Sequence, residues 1–459
     1  MHEILIKNAC IIENSKRVIP DGFIFVEGHI IKSMGPMRSA PKETRGVLVI
    51  DAFGRTVLSG FINPHMHLYS RFAMGLAVGK MTSFGEILKK LWWKLDAALT
   101  EEDIYYSGLL GILEAIKSGV TTVFDHHASY GAIRGSLFTL SRAFLQTGVR
   151  GCLCFEVSDR FGKKARDEAI HENVLFVEEC LKHRMHHSYL LRGMIGLHAS
   201  MTLSDETLSL ARKAMDAYGV SAHVHVAEGP EDVVDAKKKY RKSVVRRFVD
   251  EGILRENTVA AHCIHIDDKD LLLLKKSGAF VVHNPMSNLN NAVGIAPFLK
   301  MHQKKIPVGI GTDGMSAGIF TDVKVASVLH KLNLADREHG RCRASSARHS
   351  SMLQAGFGET CHSVMNINPQ MASQIFGITT GALEESAAAD VIISDYVPVT
   401  ALTNKNIWGH ILFGVFNAPV RTTICNGRVL MQDHRILCVD EERIIGEAKK
   451  CAKKLWERL

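Results

Sequence analysis

Histidine and acidic side chains recur along the middle of the chain at spacings that suit a divalent metal ion. His65 and His67 are two residues apart, His225 stands three residues before Glu228, and Asp313 lies in a Gly-Thr-Asp-Gly motif. Three imidazoles and one carboxylate are a suitable ligand set for zinc, with one position left open for water. We therefore predict that His65, His67, His225 and Asp313 bind one divalent ion, with zinc expected and iron possible for the same ligand types.

The same stretch of sequence contains groups that can move protons. A divalent ion lowers the pKa of a bound water to about 7, which supplies a hydroxide nucleophile at neutral pH. Asp313 could accept a proton from that water, and Glu228 could deliver a proton to a ring nitrogen or a leaving amine. His262 could orient the water and stabilise developing charge. Glu228, His262 and Asp313 are therefore the predicted catalytic residues.

An isolated His-x-His pair is weak evidence, because the chain contains 23 histidines. The interpretation gains weight because each motif follows a short apolar run of the kind that forms a strand. We find eight such runs, each followed by a helical pattern: 56–62, 121–125, 151–157, 192–197, 220–226, 258–262, 279–283 and 308–312. This alternation predicts a parallel (β/α)8 barrel, a fold whose chemistry lies where the strands end.

Both ends of the chain have a different, all-β pattern. Apolar strands are expected at 4–6, 23–26 and 47–50, and again at 391–393 and 421–425. The dipeptide Asn426-Gly427 that follows is a strong hairpin signal. We therefore predict an α/β protein with three parts: a TIM-like barrel over 56–367, a small composite β-sandwich domain from 1–55 and 368–437, and a C-terminal helix over 438–459.

Composition argues against several classes of function. Lys and Arg number 56 against 48 Asp and Glu, and this mild excess is not gathered into a basic face with interleaved aromatics, so nucleic acid is not an expected partner. No signal peptide or membrane-length apolar run is evident, so no membrane partner is expected. The ten cysteines form no Cys-x-x-Cys pair. We therefore expect reduced thiols and a cytoplasmic location.

The order of the motifs resembles the amidohydrolase superfamily, within it the branch that contains guanine deaminase, adenosine-type deaminases and triazine chlorohydrolases. The shared motifs are H-x-H at 65–67, H-x-x-E at 225–228, A-A-H-C at 260–263, H-N-P-x-S-N at 283–288 and G-T-D-G at 311–314. The β segments at both ends also match, so the resemblance covers essentially the whole chain. Further segments, including 91–96 and 125–129, are similar to one aminohydrolase subgroup of this branch.

This resemblance implies roles for individual residues. It makes the four predicted ligands the metal ligands of the family and pairs Glu228 with His262 for acid–base and orienting work. It also implies that His198 and His283 contact the substrate. Metal-bridged members carry a carboxylated lysine near the end of the fourth strand, and residues 191–200 contain no lysine, so one metal ion is expected. Members of the branch are commonly dimers or larger, which implies a homodimer or higher homo-oligomer.

Further polar residues near the predicted strand ends are candidates for substrate binding. Asn284 follows the seventh run, and His126 and His127 follow the second. For these two histidines, a role in the pocket and a role in packing both remain open. Arg71 could bind an anionic or carbonyl group of the substrate, or it could face solvent.

Two tryptophans, Trp92 and Trp93, lie in the long excursion between the first run and the next helix. An indole could stack on a flat heterocyclic substrate. The alternative is a hydrophobic cover over the site or a contact between subunits.

Hydrolytic removal of an amino group from a purine, pteridine or pyrimidine type of heterocycle is the function that this sequence favours. The prediction depends on Glu228, because an amidase acting through two bridged metal ions has little need of that carboxyl. One alternative is hydrolysis of a ring amide C–N bond or a carbon–halogen bond at the same metal site. Another is a scaffold protein without catalysis, although such a protein would not be expected to keep all four ligands.

Overall fold

The computed structural model describes residues 3–185, 189–339 and 354–459. Its strands, in chain order, are β1 Glu3–Asn14, β2 Arg17–Glu27, β3 Ile30–Pro36, β4 Leu48–Asp51, β5 Thr56–Ser59, β6 Phe61–Met66, β7 Val120–His127, β8 Arg150–Phe155, β9 Leu191–Gly193, β10 Ile195–Leu197, β11 Ala222–Val226, β12 Val259–His262, β13 Phe280–His283, β14 Val308–Ile310, β15 Val391–Ser394, β16 Val420–Cys425, β17 Arg428–Gln432 and β18 Arg435–Ile436.

The α-helices, again in chain order, are α1 Phe84–Ile87, α2 Trp93–Ala98, α3 Glu101–Lys117, α4 Ser136–Thr147, α5 Gly162–Met185, α6 Asp205–Tyr218, α7 Pro230–Tyr240, α8 Val244–Asp250, α9 Asp268–Ser277, α10 Pro285–Asn290, α11 Phe298–Gln303, α12 Phe320–His339, α13 Phe357–His362, α14 Asn368–Phe376, α15 Ile407–Phe413 and α16 Glu441–Trp456. A π-helical turn, Leu88–Trp92, joins α1 to α2. Within the described ranges, no helix is both long enough and apolar enough to cross a membrane.

Parallel strands in the middle of the chain form the predicted barrel. One sheet has the order β6-β7-β8-β9 and the other the order β10-β11-β12-β13-β14. Backbone hydrogen bonds close both seams: His198 N donates to Val157 O over 3.0 Å, and Thr312 N donates to His65 O over 3.0 Å. Because β9 and β10 are two pieces of one strand interrupted at Met194, the barrel has eight strands, and the predicted fold class is confirmed.

The first predicted barrel strand is corrected by the structure. Residues Thr56–Ser59 pair with β1 and β15 in the other sheet, and the barrel strand β6 begins at Phe61. Gly60 lies at the junction, where a Cβ atom would come within 2.3 Å of the Thr121 side chain, so a residue without a side chain is needed. Both halves of the run are buried and apolar, so hydrophobicity alone does not reveal that the chain passes between two layers.

Strands from both ends of the chain form one nine-stranded sheet within the described residues. Its order is β18-β17-β16-β15-β5-β1-β2-β3, with β4 paired to β1. The predicted hairpin is confirmed: Asn426 and Gly427 join β16 to β17 with φ angles of 50° and 74°. Positive φ at both central residues is typical of the tight turn that suits the twist of a hairpin.

The helix α3 shows how local sequence fixes the supports of the barrel. Thr100 caps its first turn, where the Thr100 side chain accepts a hydrogen bond from Asp103 N and the Asp103 carboxylate accepts one from Thr100 N. Its apolar face, which includes Ile104 and Ile112, belongs to the large core cluster around the barrel. The strand β7 follows directly, so this cap fixes where β7 starts.

A buried ion pair joins the barrel to the nine-stranded sheet. Arg150, at the start of β8, binds the carboxylate of Asp390, and both side chains are fully buried. Arg150 also donates to Tyr189 O over 3.0 Å, and Asp390 accepts a hydrogen bond of 2.8 Å from Asn426 N. Each charge is therefore compensated by a partner and by hydrogen bonds, which a buried ion pair requires.

We expect Asp390→Ala to lower the free energy of unfolding by about 3–5 kcal/mol, because Arg150 would keep a buried charge without its partner. Chemical denaturation followed by circular dichroism measures this change. The matched control is Asp433→Ala, which removes a surface partner of Arg421 at 2.7 Å and should cost less than about 1 kcal/mol. Equal changes in the free energy of unfolding for the two variants would contradict this role of the buried Arg150–Asp390 ion pair.

Candidate active site

The predicted metal ligands meet at the carboxyl ends of three barrel strands. His65 and His67 lie at the end of β6, His225 lies in β11, and Asp313 follows β14. One ligand atom from each of the four lies within 4.8 Å of the others. His67 Nε2 is 2.9 Å from Asp313 Oδ1, and His65 Nε2 is 3.6 Å from the same oxygen. The structure therefore brings all four residues to one point.

Hydrogen bonds on the outer side of the rings decide which nitrogen faces this point. His67 Nδ1 lies 2.5 Å from His126 O, and His225 Nδ1 lies 2.9 Å from His198 O. A carbonyl can only accept, so each Nδ1 donates, and in the neutral ring each Nε2 has a free lone pair. These two Nε2 atoms are 3.3 Å apart. Lone pairs at that separation repel each other unless a cation lies between them, so the site fits a divalent metal ion.

The electrostatics of the ligands agree with metal binding. Burial lowers the pKa of His65 to about 3 and holds the pKa of His225 well below its usual value, so both are neutral and able to bind a metal. Burial also acts to lower the pKa of His67, but its hydrogen bond to Asp313 outweighs this and raises the pKa to about 9. A cation at this point takes the place of that proton.

The backbone is strained where these groups emerge from the strands. The φ angles are 47° at Ala227, 71° at His262, 50° at Cys263 and 54° at Asp313. Residues other than glycine rarely adopt positive φ angles. Those that do cluster at functional sites, because the surrounding structure holds them in this conformation. One support of Asp313 is Ser287, whose hydroxyl donates to Asp313 Oδ2. We assigned Ser287 no role from the sequence, although it lies inside the H-N-P-x-S-N motif.

Glu228 and His262 lie beside the ligand cluster. His262 Nε2 is 3.7 Å from Glu228 Oε2 and 3.8 Å from Asp313 Oδ2. His262 Nδ1 makes a 2.8 Å hydrogen bond with Asn288 Oδ1, which fixes the ring so that Nε2 points between the two carboxyl groups. Asn288 was not singled out from the sequence, and it also belongs to the H-N-P-x-S-N motif.

The two carboxyl groups beside His262 have opposite pKa shifts. Burial, followed by the negative charge of Asp313, raises the pKa of Glu228 well above its usual value. Burial acts in the same direction on Asp313, but hydrogen bonds from His65 and His67 outweigh it and hold the pKa of Asp313 well below its usual value. Glu228 is therefore suited to hold a proton and Asp313 to be an anion. Such a divided pair is typical of acid and base assignments.

A carboxylate that the sequence analysis missed, Asp232, fixes the loop that carries Glu228. It lies in the first turn of α7 and accepts hydrogen bonds from Ala227 N at 3.2 Å and from Met201 N at 2.8 Å. These bonds connect the segments that follow β10 and β11. They therefore hold Glu228 relative to His198.

The cavity above the metal ligands contains about 610 Å³ of empty space, including its open mouth. His198, Glu228 and both tryptophans of the excursion line it. His198 Nδ1 is held 2.6 Å from Thr202 Oγ1, and its ring lies 6.3 Å from that of Trp93. Trp92 and Trp93 therefore form a wall of the cavity, and His198 lies where a substrate would be.

The far wall of the cavity consists of Asp96, Glu156 and Arg160. Arg160 Nη2 lies 2.6 Å from Asp96 Oδ2 and 2.9 Å from Glu156 Oε1. The sequence analysis assigned none of these three residues a role. Glu156 follows directly on β8 within a predicted apolar run, so a carboxylate at the end of the third strand was an available signal.

Two predicted substrate contacts, at the carboxyl end of β13, lie away from the cavity. His283 Nε2 lies 3.2 Å from His330 Nε2, and its ring packs 5.2 Å from Phe298, between the barrel and its outer helices. Asn284 is fully buried, and its Oδ1 faces Gly311, where a Cβ atom would come within 2.8 Å of it. Both residues therefore support the barrel from outside the cavity.

Arg71 also lies outside the cavity lining, and it does not face solvent. It is buried, binds Glu114 over 2.7 Å and donates to Gly314 O over 2.7 Å. Because Gly314 follows Asp313, Arg71 holds the loop of the ligand aspartate against α3. Both of its Nη atoms are engaged by these partners and by Ser70, which holds the side chain away from the cavity.

The two histidines that follow the second strand are buried beneath the ligands. His126 Nε2 lies 3.1 Å from both Leu197 O and His223 O, and the His126 carbonyl orients His67. His127 Nε2 is 2.9 Å from Ser129 Oγ. Both residues therefore act in packing and orientation, and the cavity is lined by other groups.

Comparisons with known proteins agree with this geometry. The model of the amidohydrolase family matches residues 56–351, which is more than half of the chain. This chain belongs to the amidohydrolase family. A 5'-deoxyadenosine deaminase of Methanosarcina mazei is 30% identical over 468 residues, with 100% of each chain covered. A 5-methylthioadenosine/S-adenosylhomocysteine deaminase of Pelotomaculum thermopropionicum is also 30% identical, with the same coverage.

Solved structures show the same fold for this amidohydrolase. A zinc-bound adenosine deaminase of Xanthomonas campestris superposes with a TM-score of 0.82 at 18% identity, covering 99% of this chain and 98% of that one. The zinc complex of an atrazine chlorohydrolase of Arthrobacter aurescens gives a TM-score of 0.77 at 19% identity, covering 98% and 100%. These likenesses agree with the predicted fold, and the family match together with the two deaminase relatives confirms the predicted superfamily.

The positions of two histidines predict different effects on catalysis. We expect His262→Gln to lower kcat by about 100-fold or more, because its Nε2 faces Glu228 and Asp313. We expect His283→Gln to change kcat/KM by less than about threefold and to lower stability instead, because it packs outside the cavity. Steady-state kinetics and thermal unfolding of both variants, with metal content measured, test this contrast. A large loss of kcat in folded His283→Gln protein would contradict the assignment.

Proposed function

We propose that this amidohydrolase hydrolytically removes the amino group of an adenine-type heterocycle and releases ammonia. The observation that carries the proposal is the position of Glu228: a buried carboxyl, suited to hold a proton, lies 3.7 Å from His262 at the edge of the metal-ligand cluster. Removal of an aromatic amine requires protonation of a ring nitrogen or of the leaving group. A proton donor beside the nucleophile meets that need.

We propose one zinc ion as the metal. His65, His67, His225 and Asp313 would hold it, and they offer the nitrogen and oxygen ligands that zinc prefers. When bound, such an ion supplies Lewis acidity and lowers the pKa of water to about 7.

The side chains around the metal divide the work of proton transfer. Asp313, as an anion, accepts a proton from the attacking water. Glu228, in its protonated form, donates to the ring nitrogen next to the carbon that carries the amine. His262 Nε2 points between the two and stabilises the charge that develops on the attacked carbon's substituent. Asp313 passes the proton that it took from the water to the amino group, the C–N bond breaks, ammonia leaves, and the ring keeps the oxygen of the water as a carbonyl.

The aromatic walls support a flat substrate. Tyr69 and Trp92 contact each other edge to face at 6.1 Å, and both line the cavity with Trp93. Aromatic side chains bind planar rings through stacking and exclude water from the reaction. The names of the relatives in Methanosarcina mazei and Pelotomaculum thermopropionicum describe deaminases of adenosine derivatives, which supports an adenine-type ring here.

Hydrolysis of a carbon–halogen bond or a ring amide remains the second candidate, because the chlorohydrolase of Arthrobacter aurescens has the same fold. Glu228 favours deamination, since a halide leaves without a proton. From the family resemblance we also infer a homodimer or larger homo-oligomer, and from the cysteine pattern a cytoplasmic location. Light scattering of the purified protein tests the first of these.

Ammonia release from a panel of substrates tests the proposed reaction. The panel contains adenine, adenosine, 5'-deoxyadenosine and 5'-methylthioadenosine, together with guanine, a pteridine and a cytosine. We expect release from at least one adenine compound and a loss of about 100-fold or more in kcat for Glu228→Gln, with metal content unchanged.

The control is Glu256→Gln, which changes an exposed carboxyl before β12, at the opposite end of the barrel. This variant should keep full activity. Metal-loaded protein that releases no ammonia from any of these compounds, but does release halide or opens a ring amide, would establish the second candidate instead.

A further inference from the structure

We propose that Asp96 and Glu156 neutralise Arg160 in the cavity wall and thereby restrict this enzyme to uncharged substrates. The inference rests on the proposed deaminase function and specifies its substrate class. Adenine compounds without an anionic group are accepted, and the same ring with a phosphate or a free carboxylate is discriminated against.

Arg160 is the obvious site for an anion in this cavity. Among the described residues that line it, Arg160 carries the one guanidinium or ammonium group. The other charged lining residues are acidic: Asp96, Glu156, Glu228 and Asp313. An anionic substituent could therefore be balanced by Arg160 or by the metal ion, which the reacting ring already occupies.

The surroundings of Arg160 hold its side chain in place and balance its charge through one nitrogen atom. Its Nη2 atom is shared between Asp96 and Glu156, at 2.6 and 2.9 Å. Its guanidinium carbon lies 5.1 Å from the ring centre of Trp93 and 4.9 Å from that of Tyr130. The side chain is 8% exposed. Turning it towards a ligand would break two buried ion pairs and two cation–π contacts.

The charge of this wall is never positive. Burial acts to raise the pKa of Glu156, but His198 and Arg160 outweigh it and hold that pKa below its usual value, so Glu156 is an anion. Burial raises the pKa of Asp96 well above its usual value. With Asp96 protonated the three groups are neutral together, and with Asp96 ionised they carry one negative charge. An anion entering the cavity would lose its hydration without gaining a counter-charge.

This proposed specificity differs from the one for which a relative is named. The enzyme of Pelotomaculum thermopropionicum is named for 5-methylthioadenosine and S-adenosylhomocysteine, the second of which carries a carboxylate. For the present chain we expect 5'-methylthioadenosine and 5'-deoxyadenosine to be better substrates than S-adenosylhomocysteine. Adenosine monophosphate should be poorer still, because a phosphate carries almost two negative charges.

The first experiment compares adenosine with adenosine monophosphate on the metal-loaded wild-type enzyme. We expect kcat/KM to be at least tenfold higher for adenosine. Raising the salt concentration from about 0.05 to about 0.5 M shortens the Debye length roughly threefold. This change should increase kcat/KM for the monophosphate and leave that for adenosine little changed.

Variants then test the three residues themselves. The double variant Asp96→Asn/Glu156→Gln leaves the charge of Arg160 uncompensated. It should raise the ratio of kcat/KM for the monophosphate to that for adenosine by about tenfold or more. Arg160→Gln removes the cation and should lower the same ratio. Opposite changes of this ratio in the double variant and in Arg160→Gln would indicate charge recognition. A purely structural role would change kcat/KM for adenosine and for the monophosphate alike.

The control variant is Glu168→Gln, which changes a residue on α5. It removes the ion-pair partner of the exposed Arg134 and should leave the ratio of kcat/KM values unchanged. Wild-type enzyme that uses both substrates within threefold would overturn the inference while the proposed deamination stands. An unchanged ratio in the folded double variant would overturn it as well. If the double variant does not fold, the salt dependence and Arg160→Gln decide. If no heterocycle in either form releases ammonia, the proposed function is wrong and this inference falls with it.

Discussion

Mutual repulsion among buried ligand groups is the constraint on which the rest of this structure depends. His65, His67 and His225 turn their Nε2 atoms towards Asp313 in a site that water scarcely reaches. The Nε2 lone pairs cannot turn away from this point, because the Nδ1–H groups of His67 and His225 each donate a hydrogen bond to a backbone carbonyl. A cation bound between these atoms would remove the repulsion. Rigid surroundings favour metal binding, because the ligand atoms cannot move apart when the cation is absent.

That rigidity comes from parts of the chain that are distant in sequence. Asp313 adopts a strained backbone conformation, and Ser287 and Arg71 support it and its loop from opposite sides. Asp232 ties the loop of Glu228 to the segment after β10. Hydrogen bonds from Thr312 N and Asp313 N to His65 O hold β6 against the residues after β14. The strain at Asp313 is thus maintained by closure of the barrel.

The same burial that constrains the ligands also divides the acidic groups by function. Within one cavity, Glu228 tends to keep its proton, Asp313 loses it, and Glu156 is ionised against Arg160. All three begin with the same penalty for burial, and their partners decide the outcome. In the function that we propose, one electrostatic field therefore serves both reaction and specificity: Glu228 and Asp313 transfer protons, and the wall around Arg160 limits the charge of the substrate.

Sequence by itself determined the eight-stranded barrel, the hairpin at Asn426-Gly427 and the four residues that converge at the candidate metal site. These features depend on local patterns, since apolar runs mark strands and residues just beyond parallel strands must share one rim. Tertiary structure alone decided which polar residues face the cavity. His283 and His225 both lie in barrel strands, yet one packs outward and the other inward, because a single step along a strand reverses the side-chain direction. Asp96 and Arg160 are 64 residues apart. They meet because they follow β6 and β8, two strands of one sheet whose carboxyl ends lie at the same rim.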